Sequence, residues 1–469
     1  MHRDLRDDPR LSQLPKEPID RLTRPLTRFL RIETASGAVL LLAAAAALIL
    51  SNSPWADSFL AVWEAPLGLQ IGTLTLVHPA RDWINDGLMT LFFFVVALEL
   101  KRELVLGELR HPRVAALSIA AALGGMLVPA AIYLALQLGE SGQHGWGTVM
   151  ATDTAFVIGC LAILGRRAPT GLRVFLLSLA VVDDIGAILV VAVGYSDEIG
   201  WASLIAAGTG VAAVRALALV GVRSVPIYIL AGALIWLAVD ASGIHPTVTG
   251  VALGLLTPTR GWVSDRRLRA ILGRVLAFPP GGDHWSGSTE DRRALRSAAR
   301  AARETLSPVE RLEAALHPWV AFGVMPLFAL ANAGVVLSSD ALAEPLVLAI
   351  VVGFVFGKPL GVVSFAWLAV RSGLAARPRD LGWAALAGGG MLAGIGFTMA
   401  LLIADLAFEG ALLDAAKLGI LAASIVSATA GLALLAWLGR PGRDFASISD
   451  RTNADGRSHI RSERKESAV

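Results

Sequence analysis

Residues Val174 to Val193 read VFLLSLAVVDDIGAILVVAV, a run with the length of a bilayer-spanning helix, and Asp183 and Asp184 lie at its centre. An aspartate at mid-span costs at least about 2.5 kcal/mol. Two in succession require a partner, a proton or an ion to compensate them. This run therefore restricts the chain to folds in which other segments enclose and neutralise a pair of buried acids.

The rest of the sequence supplies such segments. Of its 469 residues 55% are hydrophobic and 17% charged, with a mean hydropathy of +0.63. That balance belongs to an integral membrane protein, not to a soluble domain. Apolar runs of spanning length recur at 36–52, 83–100, 114–138, 146–165, 174–194, 200–219, 225–240, 243–258, 318–337, 345–370, 382–407 and 414–438, predicting an all-α polytopic protein with twelve transmembrane helices. Only Ala241 and Ser242 separate the seventh and eighth runs, so one broken helix is the alternative there. Cys160 is the single cysteine, which excludes a disulfide framework and a cysteine-ligated metal site; no cofactor is expected.

The net charge of +3 comes from arginines in short connections, where they act as topology signals, so no nucleic-acid partner is expected. Basic residues mark the N-terminus (Arg21, Arg24, Arg28, Arg31) and then every second connection, including Lys101, Arg102, Arg110 and Arg113, Arg166 and Arg167, and the 259–316 loop. The intervening connections 139–145, 195–199, 241–245 and 338–344 hold no Lys or Arg. The positive-inside rule puts the basic loops and both termini in the cytoplasm. Residues 1–31 read as a cytoplasmic extension without a cleavable signal peptide, 32–438 as the twelve-helix domain, and 439–469 as a cytoplasmic tail expected to be disordered. Two further features lie outside the bilayer. Leu67–Leu76 (LGLQIGTLTL) predicts a small external β-hairpin at about 65–78, with an unpaired loop as the alternative and an edge able to join two protomers. Residues 281–306 run from a Gly/Ser-rich linker into a charged surface helix, a solvated insertion where contact with anionic lipid is plausible.

Besides the aspartate pair, Asp153 and Lys358 lie near mid-span. Only five of the 41 basic residues are lysines, and a buried ammonium can give up a proton where a guanidinium cannot. Lys358 is thus a candidate proton-linked group as well as a counter-ion. Three carboxylates against one ammonium leave two negative charges. One aspartate can pair with Lys358 while the other two share a bare monovalent cation, with Thr152 adding a hard oxygen. Once the cation leaves, desolvation and mutual repulsion favour protons in its place, so ion and proton exclude each other. That is the minimal requirement for an exchanger, and trading one cation for more than one proton moves net charge.

The helices also break near these residues. Thr152-Asp153-Thr154 interrupts one span, and Gly388, Gly389, Gly390, Gly394 and Gly396 crowd another, followed by Thr398. Glycine alone in a membrane helix is as consistent with close packing. Two such breaks in separate halves of the chain fit discontinuous helices within inverted repeats around a midplane ion site.

The stretches INDGLMTLFFFVVALELKRE (84–103), ATDTAF (151–156), VVDDIGAI (181–188), SGIHPTVTGVALGL (242–255), LHPWVAFGVMPLFALANAGV (316–335), GKPLG (357–361) and LAGIGFTMALLI (392–403) resemble the NhaA family of bacterial sodium/proton antiporters over roughly residues 25–440. That family is itself an established example of inverted repeats. The resemblance implies crossed discontinuous helices at 146–165 and 382–407, with Asp184 and Asp153 as cation and proton ligands and Thr152 close by. It implies pairing of Asp183 with Lys358, and balancing of the half-helix ends by Asp153 and Lys358. It further implies electrogenic export of Na⁺ or Li⁺ by alternating access in a bacterial inner membrane, serving pH homeostasis, with a homodimer joined through the hairpin. Glu99 and Glu313 match the acids of a pH-regulated cytoplasmic funnel, and His245 resembles a histidine tied to pH response; charge alone makes the two glutamates loop residues and His245 a hydrogen-bonded cap. The long inner loop at 278–306 and the basic N-terminal extension depart from the family pattern.

Two other functions fit parts of the sequence. An intramembrane aspartyl protease needs two aspartates on different spans, which Asp153 and Asp183 or Asp184 supply, but leaves the adjacent aspartate and Lys358 without a role and lacks the Gly-x-Gly-Asp signature. A sodium-coupled solute symporter of similar fold needs an added solute pocket. The chain is expected to be a transporter and not an enzyme.

Overall fold

The structure, a computed structural model, describes residues 33–439 apart from 72–73, 197–198, 223, 277–288 and 379. The expected N-terminal extension, the tail from residue 440 and the first part of the 281–306 insertion lie outside the described residues. The chain is mostly helical. Among the described residues seven helices are long and apolar enough to cross a membrane, and two sharply bent helix pairs bring the number to nine. This is a multi-pass membrane protein.

After α1 (Glu33–Ser51), strands β1 (Pro66–Ile71) and β2 (Leu74–Pro79) form an antiparallel hairpin in the register Pro66↔Pro79 to Ile71↔Leu74, at the place the alternating pattern predicts. The indole of Trp83 donates to Leu67 O at 2.8 Å and ties the hairpin to the next helix. The spans α2 (Ala80–Val105), α3 (Pro112–Leu136) and α5 (Thr170–Gly194) follow, with the first bent pair between the last two: a 3₁₀ segment Ser141–Val149 and α4 (Thr154–Leu164), inclined by 49°. In α5, 61% of the most apolar stretch is buried within the protein, against 11% in α6 (Trp201–Val220). The aspartate-bearing helix is therefore central and α6 lies on the outside, facing the apolar surroundings.

The seventh expected span is α7 (Val225–Asp240). The eighth expected run is helical over only part of its length. Residues 243–258 form only α8 (Val248–Leu256), about 14 Å long at the usual helical rise, less than half of a hydrocarbon core. Gly243 at φ +77° and Pro246 keep the chain non-helical until Thr247. The 259–316 loop contains two helices, α9 (Asp265–Leu276), which its apolar pattern did not announce, and α10 (Thr289–Thr305), which the charged stretch did.

The span α11 (Pro308–Asn332) starts ten residues before the apolar run at 318. Ser307 and Glu310 form a reciprocal capping box that begins the helix while its first turns are still charged. In α11 and in α12 (Pro345–Arg371) a π-helical turn, Val320–Val324 and Gly353–Gly357, ends two residues before a proline, Pro326 and Pro359. A proline cannot donate into the helical ladder, and the wider turn absorbs the interruption. The second bent pair, α13 (Trp383–Ala393) and α14 (Phe397–Ala407), is inclined by 46°, and α15 (Gly410–Leu438) closes the fold.

Helices α3 and α12 touch backbone to backbone. A Cβ on Gly361 would come within 2.0 Å of Gly124 O, and one on Gly124 within 2.2 Å of Gly361 O. Only paired glycines permit this approach, which sets Lys358 against Gly125 in the interior.

Candidate cation and proton site

Both helix breaks meet at the same place. Asp153 N donates to Ile395 O at 2.7 Å and the Thr152 hydroxyl donates to Ala393 O at 2.8 Å, so the first break satisfies carbonyls released by the second. The Asp153 carboxylate answers in the other direction. One oxygen accepts from Phe156 N at 3.2 Å, capping α4, and the other from Thr398 N at 3.1 Å and the Thr398 hydroxyl at 2.5 Å, at the start of α14. One negative charge thus faces the positive ends of two half-helices.

Lys358 does the reverse. Its ammonium donates to Met150 O, at the carbonyl end of the 3₁₀ segment, and to Asp183 Oδ2 at 2.8 Å. A cation at a helix C-terminus complements the dipole as an anion does at an N-terminus. Lys358 and Asp183 are both fully buried, with side chains at 0% exposure.

Asp184 completes the chain of contacts. Its Oδ2 accepts from the Thr154 hydroxyl at 3.2 Å, which joins α5 to the first break, while Oδ1 is buried without a hydrogen-bond partner. Leaving such an acceptor unsatisfied costs about 1–3 kcal/mol, and more when it is charged. A proton or a small cation removes that cost. The surroundings offer carboxylate, hydroxyl and carbonyl oxygens, a set suited to a hard ion.

Asp153, Asp183, Asp184, Lys358 and Thr152 are therefore brought together, each nine-tenths or more buried. Thr152 bonds to Ala393 and not to Asp184; Thr154 makes that contact. Glu313 stands apart on α11, where Arg102 Nη1 donates to its Oε1 at 2.5 Å, while Glu99, on α2, lies within electrostatic reach of both Asp184 and Glu313. Glu99 is half-buried one turn before Arg102 on the same helix. His245 is in a third place. Its Nδ1 lies 2.9 Å from the Thr247 hydroxyl and its Nε2 3.4 Å from Asp86 Oδ1. Asp86 is thirteen residues before Glu99 along α2, roughly 20 Å of helix.

Sequence reasoning left Thr154 and Thr398 without assigned partners and did not find the network of buried Asn85 and Asn332 with half-buried Asp405. Asn85 and Asn332 exchange amide hydrogen bonds at 3.3 and 2.8 Å, and Asn85 also donates to Asp405 Oδ2 at 2.8 Å, linking α2, α11 and α14. The threonines had a usable signal, since a break in a membrane helix must find caps for its freed backbone groups. The network had only the presence of asparagine in an apolar run.

The sequence matches the Na⁺/H⁺ antiporter 1 family over residues 27–435. It is 65% identical over 437 residues to "Na(+)/H(+) antiporter NhaA 2" of Acidiphilium cryptum, covering 93% of this chain and 97% of the relative. To "Na(+)/H(+) antiporter NhaA" of Rhizobium meliloti it is 59% identical over 433 residues, 92% of this chain and 99% of the relative. A relative of the same name from Rhodopirellula baltica is 50% identical over 425 residues, 90% and 96% of the two chains.

Proposed function

Starting from the fact that this chain belongs to the Na⁺/H⁺ antiporter 1 family, with the NhaA proteins as its relatives, we propose that it exchanges Na⁺ for H⁺ across its membrane through the site at the two helix breaks. It is a transporter and not an enzyme. The observation that carries the proposal is the buried, unpartnered oxygen of Asp184, joined through Thr154 to the break that Asp153 caps.

In this reading Asp184 and Asp153 hold either the cation, Na⁺ or Li⁺, or protons, with the oxygen of Thr152 close by. Lys358 neutralises Asp183 and the Met150 carbonyl end in both states. Two carboxylates that release one monovalent cation and take up two protons give an exchange of more than one proton per cation, which is electrogenic. Alternating access follows if the half-helices move relative to α5 and α12, since the charges that hold the breaks together change with the occupant.

The same reading assigns twelve spans in inverted repeats, with the bent pairs crossing, α7 as one span and α8 with its flanking chain as another. It places both termini in the cytoplasm, with 1–31 and 439–469 outside the twelve-helix domain, and the protein in a bacterial inner membrane. The Arg102–Glu313 ion pair with Glu99 within electrostatic reach is suited to pH regulation, His245 with Asp86 is a second titratable pair, and the β1–β2 hairpin offers an edge for a homodimer.

The test is dissipation of a pH gradient on adding NaCl to inside-out vesicles. Wild-type protein should respond without any organic solute, and Asp184→Asn and Asp153→Asn should each abolish the response. Wild-type rates in either variant would remove the site, and a response that needs an organic solute would mean symport.

A further inference from the structure

The arginine-rich α9–α10 hairpin has no role in the site described above. On α10 Arg293, Arg296, Arg300 and Arg303 recur at intervals of three, four and three residues, so they form one stripe, and all four are exposed. Ala298 and Ala301 are buried on another face of the helix, which packs against α9. Arg266, Arg267 and Arg269 are exposed on α9.

The base of the hairpin is held rigidly at the end of a span. Trp262 N and Val263 N donate to Glu304 O at 3.0 and 3.3 Å, and Val309 N donates to Pro258 O at 3.4 Å. A Cβ on Gly261 would come within 2.4 Å of Thr305 O, so glycine is what lets the two ends of the hairpin meet. Two residues after α10 ends, Ser307 caps α11. The arginine stripe therefore ends four residues before the cap of a helix that continues as a membrane span, which tethers it to the membrane surface.

We infer that the α10 stripe, extended by the arginines of α9, is a docking surface for anionic phospholipid headgroups of the surrounding bilayer. The charge is complementary, the guanidinium fork matches phosphate oxygens, and the hairpin cannot leave the membrane surface because α11 anchors it. A docked hairpin also fixes the first two turns of α11, which carry Glu310 and Glu313. The inference rests on the multi-pass fold and is independent of which ions the protein moves.

Amide hydrogen exchange of the full-length protein tests it, in nanodiscs of phosphatidylcholine alone and of phosphatidylcholine mixed with phosphatidylglycerol. Exchange within α9 and α10 should slow by at least roughly fivefold when phosphatidylglycerol is present, the factor one surface arginine supplies, and the slowing should vanish in concentrated KCl. The variant R293Q/R296Q/R300Q/R303Q should lose the slowing, and R296Q/R300Q should lose part of it, while a thermal unfolding midpoint equal to the wild type's in phosphatidylcholine shows both to be folded. Equal exchange in the two kinds of disc would overturn the inference. So would lipid-dependent slowing that survives the fourfold substitution.

Discussion

Two ion pairs in this molecule use the same chemistry with different access to water. Lys358 and Asp183 meet at 2.8 Å with both side chains at 0% exposure, whereas Arg102 and Glu313 meet at 2.5 Å with side chains at 36% and 12%. The second pair keeps a route to water on its arginine side, and its partners include Glu103 at 3.4 Å. The first has no water to fall back on, so its charges are matched by helix ends: Lys358 by the Met150 carbonyl, and neighbouring Asp153 by two N-termini. What differs is the cost of losing a partner. A buried pair that loses one member leaves an uncompensated charge, at about 3–5 kcal/mol. A pair whose remaining member reaches water, as Arg102 does here, loses about 0–1 kcal/mol.

The comparison breaks most visibly at Lys358. Lys358→Ala should destabilise the protein by about 3–5 kcal/mol through the stranded Asp183 carboxylate. Adding Asp183→Ala should restore part of that loss, read as a thermal unfolding midpoint in detergent. Additive losses in the double variant would mean that the two side chains are not coupled.

A middle-sized effect is expected at Thr398, which gives Asp153 one of its three hydrogen bonds through a hydroxyl. Hydrogen bonds to charged groups contribute about 1.5–3 kcal/mol. Thr398→Ala should raise the sodium concentration for half-maximal exchange roughly tenfold at fixed pH, because a proton then competes better for the carboxylate. Thr398→Ser should return the wild-type value, and an unchanged value in the alanine variant would show that the hydroxyl contact is incidental.

The smallest effect on stability belongs to the pair that water reaches through its arginine. Glu313→Gln should change the unfolding free energy by no more than about 1 kcal/mol. If Glu313 belongs to a regulatory cluster, the same variant should shift the pH dependence of sodium exchange while leaving the maximal rate intact. A pH profile that overlays the wild type would reduce the pair to a surface contact.

The two pairs were not equally legible in the sequence. Asp183, Asp184, Asp153 and Lys358 announced themselves because a charge in an apolar run is improbable unless something holds it. Glu99 and Glu313 sit among other charged residues, and only resemblance to a family singled them out. Elements followed the same rule. Long apolar spans and the alternating hairpin could be read directly, whereas the early start of α11 was hidden beneath the charged residues of its first turns, although Ser307 and Glu310 carried the capping signal. The shortness of α8 was hidden by apolar composition, which continues across Gly243 and Pro246 while the helix does not.

The sequence by itself determined that this chain lies in a membrane, that acids and one lysine are buried at depth, and that two spans break, because hydropathy, charge and glycine content act locally and add along the chain. Which groups satisfy those charges was decided only in three dimensions. Asp153 bonds to Thr398, 245 positions away, and Lys358 to Met150, 208 positions away. Such pairings depend on the approach of α3 to α12 through Gly124 and Gly361 and on how the two breaks face each other. Hydrogen bonds and ion pairs act over a few ångströms, so only packing sets which distant atoms come within reach.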